Sequence, residues 1–175
     1  MRFVFSFLAA SVFLFGMNSC RHHDSDRSEH REGHHKSEGH GKDHKAKWKA
    51  PVFHASHYEK KQDAPFSDVV QVGNMYFLSG QIGMDHTTRT LVTGGIEAET
   101  TQVLENIKEV LEQHGMTMGD VVKALVVLDD IEDFAAFNAI YKTYLPQKPA
   151  RTTFAAEALA AGAKIEIEVV AVKNE

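Results

Sequence analysis

Cys20 is the residue near the amino terminus whose type and position predict covalent chemistry. It is the only cysteine of the 175-residue chain and follows an almost wholly apolar run, Phe3 to Met17. That run is shorter than the roughly 20 residues that span a bilayer and is typical of a secretory signal peptide. Ser19-Cys20 resembles a bacterial lipobox, in which the cysteine receives acyl chains that hold a protein to a membrane.

We therefore expect residues 1–20 to be a signal peptide and the exported protein to be a lipoprotein anchored at Cys20 in the bacterial cell envelope. The alternative is cleavage near Ser19 without lipidation, which gives a periplasmic or secreted protein.

Histidines are concentrated just after this cysteine. Seven of the eleven in the chain are His22, His23, His30, His34, His35, His40 and His44. Residues 21–50 hold almost no apolar side chain before Trp48, so they cannot bury enough surface to fold. We predict a disordered tether with a coil span of roughly 30 Å. Weak binding of zinc, nickel or copper by its imidazoles is the alternative.

The remaining residue types exclude several classes of function. Residues 51–175 contain no cysteine, which excludes thiol catalysis, and the single cysteine of the chain excludes an intrachain disulfide. No phosphate-binding loop, G-x-G-x-x-G, C-x-x-C or H-E-x-x-H motif is present, so we expect neither a nucleotide nor a metal site. Residues 1–50 have a net charge of +3 and residues 51–175 of −8, and such an acidic domain is a poor candidate for binding nucleic acid.

Residues 51–175 predict one domain with the element order β-β-α-β-α-β-β. A hairpin over residues 69–79 turns at Gly73-Asn74, because two such residues between apolar runs are a turn signal. Glycines and polar residues from Gly80 predict a loop. The later elements are a helix over residues 96–114, a strand over 121–128, a helix over 131–144, a strand over 151–155, a turn at 159–162 and a strand over 165–172.

Both helices are amphipathic, with apolar residues at helical spacing. We expect Gly115 to end the first and Asp130 to cap the second. Two such helices cover one face of a sheet, which predicts an α+β fold. The strand over 121–128 is apolar on both faces apart from Lys123. We therefore expect a closed homo-oligomer to cover the second face.

Several stretches resemble the Rid (YjgF-type, RidA-like) family in their order and spacing. They are Val72-Gly73-Asn74, Leu78 to Ile82, Gly115-Met116, Asp120 to Lys123, Phe134 to Tyr141, Pro149 to Thr153 and Ile165 to Val172. The resemblance implies a chorismate-mutase-like homotrimer with sites in clefts between subunits. It also implies hydrolysis of imine or enamine acids such as 2-aminoacrylate to a 2-keto acid and ammonia, without a cofactor.

The resemblance also implies the site residues. Arg151 matches the family's substrate-binding arginine, and arginine grips a carboxylate through two hydrogen bonds. Glu166 matches the family's glutamate, and a carboxylate of raised pKa can orient water and move protons. We expect Arg151 and Glu166 to be catalytic and to lie on the two strands of a hairpin.

Five further residues are expected near the substrate. Asn138 and Ser79 could hold water or substrate, and Gly80 could allow close backbone approach. Phe66 stands where many members have a tyrosine, so an aromatic wall remains without its hydroxyl. Thr153 stands where a cysteine is frequent.

Other interpretations stay open at this point. Outside the motif, an arginine on a strand is usually a surface ion-pair partner. Glu168 is expected to be solvated or to form an ion pair between subunits. A non-catalytic trimer that binds small carboxylates or acts as a holdase is the main alternative. Ribonuclease or translation inhibition, attributed to some members, is opposed by the acidic domain.

Overall fold

The computed structural model describes residues 49–174, so the predicted signal peptide, Cys20 and nearly all of the tether lie outside the described residues. The strands are β1 (Val52–His54), β2 (Val69–Val72), β3 (Met75–Ile82), β4 (Met84–Asp85), β5 (Thr90–Leu91), β6 (Val121–Leu128), β7 (Ala150–Ala155) and β8 (Ile165–Val172). The helices are α1 (Gly95–Gln113) and α2 (Phe134–Tyr144). None of the helices within residues 49–174 has the length and apolar character needed to cross a membrane.

Six strands form one mixed sheet in the order β1-β2-β3-β8-β6-β7, and β4 and β5 form a separate hairpin. Only β6 and β7 pair in parallel within that sheet; its other neighbours are antiparallel. Both helices pack on the same face of the large sheet. This confirms the predicted α+β class with two helices on one face of a mixed sheet.

The apolar stripes of the two helices build the core, as their periodicity predicts. The fully buried apolar side chains of α1 are Val103, Leu104, Ile107, Val110 and Leu111. Phe137 and Tyr141 of α2 are buried beside them. The burial of these faces stabilises the fold by roughly 1.5–3 kcal/mol for each large apolar side chain.

The two residues predicted to end or begin helices, Gly115 and Asp130, form the expected backbone hydrogen bonds or caps. Gly115 has a φ of 67°, and the amide of Met116 donates to the carbonyl of Leu111 over 3.0 Å, which closes the last turn of α1. Asp130 Oδ1 accepts from the amide of Glu132 over 2.9 Å. That cap begins a 3-10 turn, Ile131–Asp133, so α2 itself starts only at Phe134.

The region after the first hairpin differs from the prediction. The turn at Gly73-Asn74 is confirmed by the pairing of Val72 with Met75. However, β3 continues through Gly80 to Ile82 instead of ending in a loop, with a register shift between Leu78 and Gln81. The segment that follows folds back as the β4–β5 hairpin. β1 was also not predicted, because three residues are too few to show an alternating pattern.

The expected hairpin between β7 and β8 is wrong. The chain leaves β6, passes through α2 and returns as β7 beside β6 in parallel, which is a βαβ crossover. β8 then pairs with the other edge of β6 in antiparallel orientation. β6 therefore lies between the strands that carry Arg151 and Glu166.

The face of the sheet that points away from the helices is here called the uncovered face. As predicted, Glu166, Glu168, Val170 and Val172 share it, since they alternate with the buried residues of β8. Large apolar side chains lie on the same face: Phe77 and Met75 are each 39% exposed and Phe154 is 46% exposed. Apolar surface of this kind marks an interface.

Candidate active site

Arg151 points toward α2 and away from the uncovered face. It pairs in register with Ala124 of β6, whose side chain is fully buried on the helix side. Its Cζ atom lies over aromatic rings of α2, at 4.6 Å from the centroid of Tyr141, 5.1 Å from Phe137 and 5.6 Å from Phe134. Stacking on these rings holds a planar cation in one orientation and stabilises its charge.

Asn138 fixes the guanidinium further, because Arg151 Nη1 donates to Asn138 Oδ1 over 2.8 Å. The asparagine thus contacts the arginine directly, and its expected contact with water or substrate stays a prediction. The hydrogen bond uses one of five N–H donors of the guanidinium and leaves others for a ligand. An oriented guanidinium with free donors suits the planar carboxylate of a small acid.

A cavity of about 550 Å³ opens beside this arginine, and we call it the Arg151 cavity. Its lining residues are Asn138, Tyr141, Lys142, Leu145, Lys148, Pro149 and Arg151. Three of them are cationic and none is acidic. Burial raises the pKa of the Tyr141 hydroxyl, and the positive charge of Arg151 partly opposes this shift. The cavity is therefore electropositive within an acidic domain, which favours an anionic ligand.

Glu166 lines a different cavity, of about 320 Å³, which we call the Glu166 cavity. The predicted residues Phe66 and Gly80 lie in its wall with Glu166. Burial raises the pKa of the Glu166 carboxyl, and the negative charge of Glu168 on the same strand face raises it further. A carboxylate with a raised pKa accepts a proton more readily than an ordinary surface glutamate.

Gly80 allows Glu166 to occupy its position. A Cβ atom at Gly80 would overlap Glu166 Oε1, so any larger residue must displace the carboxylate. The predicted close approach is thus between this backbone and the glutamate of the neighbouring strand. A substrate contact at Gly80 stays a prediction.

Two of the polar residues expected near the substrate, Ser79 and Thr153, lie outside the linings of both cavities. Ser79 Oγ donates to the carbonyl of Ser67 over 2.7 Å, which ties β3 to the loop that carries Phe66. Thr153 points to the helix side like Arg151, and its buried hydroxyl has no hydrogen-bond partner within residues 49–174. Their predicted substrate contacts stay predictions.

The two halves of the predicted site do not meet within one chain. Arg151 lies on the helix side of the sheet, whereas Glu166 pairs with Val127 and lies on the uncovered face. The Arg151 cavity and the Glu166 cavity share no lining residue. Each cavity therefore holds only one part of the expected chemistry.

Residues that sequence reasoning missed surround both halves. Lys142 and Lys148 add positive charge to the Arg151 cavity. Lys61, Gln81 and His86 together line part of the Glu166 cavity. Lys61 Nζ is 2.7 Å from Asp68 Oδ1, and both side chains are only 6% exposed. Lys61, Gln81 and His86 were not predicted from the sequence, because these three residues match no motif of defined spacing. Within residues 49–174, no cluster of three or more histidine, cysteine or acidic residues has the arrangement of a metal site.

Comparison with known proteins identifies the family. A family profile described as Endoribonuclease L-PSP matches residues 58–173, about two thirds of the chain. The chain belongs to the Rid family. The 2-iminobutanoate/2-iminopropanoate deaminase of Mus musculus is 42% identical over 111 residues, which are 63% of this chain and 82% of that protein.

Solved Rid structures share the fold. The YjgF gene product of E. coli is 32% identical with a TM-score of 0.65, and the match covers 70% of this chain and 99% of that one. E. coli TdcF, solved with bound serine, is 31% identical with a TM-score of 0.60, covering 63% of this chain and 89% of that one. The Rid domain here therefore spans nearly the whole length of these relatives.

Proposed function

We propose that this Rid protein is a hydrolytic deaminase of small 2-imino and enamine acids of the 2-aminoacrylate type, which it converts to a 2-keto acid and ammonia. The observation that carries the proposal is the Arg151 cavity, where a stacked and hydrogen-bonded guanidinium lies among other cations. The name of the mouse relative supports the reaction. The serine bound to TdcF supports a ligand with the backbone of an amino acid.

The reaction needs only a positioned water and a proton carrier. Arg151 binds the carboxylate beside the C=N carbon, which fixes the imine relative to Glu166. Glu166 takes a proton from water as the oxygen attacks that carbon, and the imine nitrogen becomes an amine. Glu166 returns this proton to the nitrogen, which completes a carbinolamine with one hydroxyl and one amine group. Glu166 then takes the hydroxyl proton and passes it to the amine nitrogen as the C–N bond breaks, so ammonia leaves and the carbon keeps the oxygen as the carbonyl of the 2-keto acid.

The site is proposed to be built by two neighbouring copies of the chain in a homotrimer. The separation of Arg151 and Glu166 on opposite faces of the sheet supports this arrangement. The apolar uncovered face supplies the surface for association. In the trimer, the Arg151 cavity of one subunit adjoins the Glu166 cavity of the next.

Activity is tested with 2-iminopropanoate made in situ by an amino-acid oxidase. We expect the protein to accelerate release of pyruvate, and Arg151→Ala to lower kcat/KM by about 100-fold because the carboxylate loses its anchor. Arg151→Lys keeps the charge but loses two-point binding, so its loss should be smaller. Equal pyruvate release with and without the protein would remove the proposal.

The shared site is tested by co-expression of Arg151→Ala and Glu166→Ala chains carrying different tags. Neither variant alone has a complete site. Random mixed trimers contain sites with Arg151 from one chain and Glu166 from the other, so about a quarter of the wild-type activity should return. No recovery in purified mixed trimers would mean that each site lies within one chain.

A non-catalytic carboxylate-binding trimer or holdase is the second candidate. The Arg151 cavity favours this candidate, because its own cations are enough to bind an anion without Glu166. It predicts that pyruvate raises the melting temperature in an Arg151-dependent manner while no imine turnover is measured. Ribonuclease activity is disfavoured by the net charge of −8 over residues 51–175.

Export and lipid anchoring at Cys20 are proposed as well. The apolar run Phe3 to Met17 and the pair Ser19-Cys20 support them. In a bacterial host, we expect the full chain to label with a fatty-acid analogue and to enter the membrane fraction. Cys20→Ser should abolish both, and unchanged fractionation of this variant would contradict lipidation.

A further inference from the structure

Arg89 has an unusual backbone conformation in the loop between β4 and β5. Its φ is 64°, a left-handed value that is costly for any residue with a Cβ atom and at which glycine is the default. The amide of Arg89 donates to the carbonyl of Asp85 over 2.9 Å, and Asp85 Oδ1 accepts from the amides of Thr87 and Thr88. The loop is thus held in a turn that places an arginine, and not a glycine, beside the Glu166 cavity.

The side chain of Arg89 is exposed and lines the Glu166 cavity. It forms no ion pair with any residue between 49 and 174. Its guanidinium therefore keeps its hydrogen-bond donors available to an anion that enters the cavity.

The other charged groups around the cavity do not compete for that anion. The ammonium of Lys61 is neutralised by Asp68 and also donates to Gln81 Oε1 over 3.4 Å. His86 shares this amide oxygen through Nε2 over 3.2 Å, and its burial together with the charge of Lys61 lowers its pKa, so the imidazole is neutral at pH 7. Arg89 is then the cation of the lining that has no acidic partner within residues 49–174, and Glu166 supplies the carboxylate of the same cavity.

The size of the cavity fits a longer substrate than a three-carbon imino acid. Its volume of about 320 Å³ lies at the lower end of the range of about 300–1,000 Å³ that holds small molecules. The lining also contains the apolar side chains of Phe66, Ile82 and Met84. Such a lining suits the methylene chain of a substrate whose far end carries a charge.

We propose that the Glu166 cavity is a side-chain subsite for 2-imino dicarboxylic acids, the imines of aspartate and glutamate, with Arg89 binding the distal carboxylate. The inference rests on the proposed function, in which Arg151 of the partner subunit binds the carboxylate next to the C=N carbon. The methylene chain then runs along Phe66 and Met84 from Glu166 to Arg89.

The test compares kcat/KM for 2-iminoglutarate and 2-iminopropanoate, made in situ from glutamate and alanine by amino-acid oxidases. Arg89→Gly relieves the left-handed strain and should not unfold the domain, which circular dichroism and the melting temperature check. We expect this variant to lower the ratio of 2-iminoglutarate to 2-iminopropanoate efficiency about fivefold, a modest value because the guanidinium is exposed. Arg89→Glu should lower the ratio further, and Arg89→Lys should lower it least.

Lys108→Ala is the matched control, because it also removes one exposed cation but lines neither cavity. Its ratio should equal that of the wild type. An equal loss for both substrates in Arg89→Gly, or an unchanged ratio, would overturn this inference while leaving the deaminase in place. If the wild type accelerates neither imine, the proposed function falls and this inference falls with it.

Discussion

At the scale of single residues, the absence of a side chain at Gly80 on β3 leaves the space that the Glu166 carboxylate of β8 occupies. Substitution of Gly80 therefore tests the role of Glu166. Gly80→Ala places a Cβ atom in the volume of the Glu166 carboxylate. We expect kcat for 2-iminopropanoate to fall at least about tenfold as Glu166, the proposed general base, moves, and overpacking to cost about 1–3 kcal/mol.

Gly119→Ala controls for the loss of a glycine, because its added Cβ would meet only Thr117 Oγ1 at 3.4 Å. Rates are measured by keto-acid release and stability by urea unfolding. A Gly80→Ala protein with the wild-type kcat would show that the position of Glu166 does not matter for turnover.

The raised pKa of Glu166 predicts a pH profile. The carboxylate is the active form in the proposed mechanism, so activity should be lost on acidification at a pH above 4.5, the ordinary value for glutamate. Glu168→Gln removes a negative charge that raises this pKa. The acid limb of kcat/KM should therefore move to lower pH in Glu168→Gln.

Glu112→Gln, at the end of α1, is a control for the loss of one negative charge. Its acid limb should coincide with that of the wild type. A Glu168→Gln limb that stays in place would mean that another group controls the profile.

Residue types near the site were largely predictable, but side-chain directions were not. The family motif predicted Arg151 and Asn138, which form a hydrogen bond. It gave no indication that Arg151 and Glu166 leave opposite faces, because direction depends on strand pairing between residues far apart in sequence. Arg89 was missed for a related reason, since only the φ of the loop and the adjacent cavity single it out.

At the scale of elements, a buried ion pair fixes the segment before β2 to the sheet. Lys61 belongs to the 3-10 turn Glu59–Lys61 and contacts Asp68 just before β2. Lys61→Met leaves a buried carboxylate without its partner and should cost about 3–5 kcal/mol in the free energy of unfolding. In the double variant with Asp68→Asn no buried charge remains, so the cost should be well below the sum of the single costs.

Lys164→Met is a matched control, because Lys164 Nζ is also 2.7 Å from a carboxylate oxygen, that of Asp129, but the side chains are 43% and 29% exposed. Its cost should stay within about 1 kcal/mol. Urea unfolding of all variants measures these values, and additive costs for Lys61 and Asp68 would contradict the coupling.

The length of a helix or strand decides whether the sequence predicts it. Helices and strands with several apolar repeats were found with ends accurate to a few residues. β1, β4 and β5 were missed because each has only two or three residues. The order of β7 and β8 in the sheet was wrong because α2 makes β7 parallel to β6 and leaves only the other edge of β6 for β8.

At the scale of the whole molecule, the uncovered face predicts self-association. Phe77 lies between Val70 and Val170 on this face and is 39% exposed. Phe77→Glu introduces a charge that would have to be buried in the proposed interface, so we expect the proposed trimer to dissociate and the imine activity to disappear together. Light scattering on a sizing column gives the mass, and keto-acid release gives the activity.

Ile131→Glu is the control, because Ile131 is also an apolar residue, 51% exposed, but belongs to the 3-10 turn before α2 and to no strand of the sheet. It should keep both the mass and the activity. A monomeric wild type with full activity would contradict the shared site.

With the proposed site shared between neighbouring chains, the placement of Arg151 and Glu166 on opposite sides of one sheet makes activity depend on the concentration of the protein. A catalyst assembled from neighbours loses turnover on dilution faster than it loses molecules, because dissociated chains contribute nothing. Specific activity should rise with concentration and level off once association is complete. At low concentration the protein would then have little activity, and a higher local concentration on a shared surface would raise it.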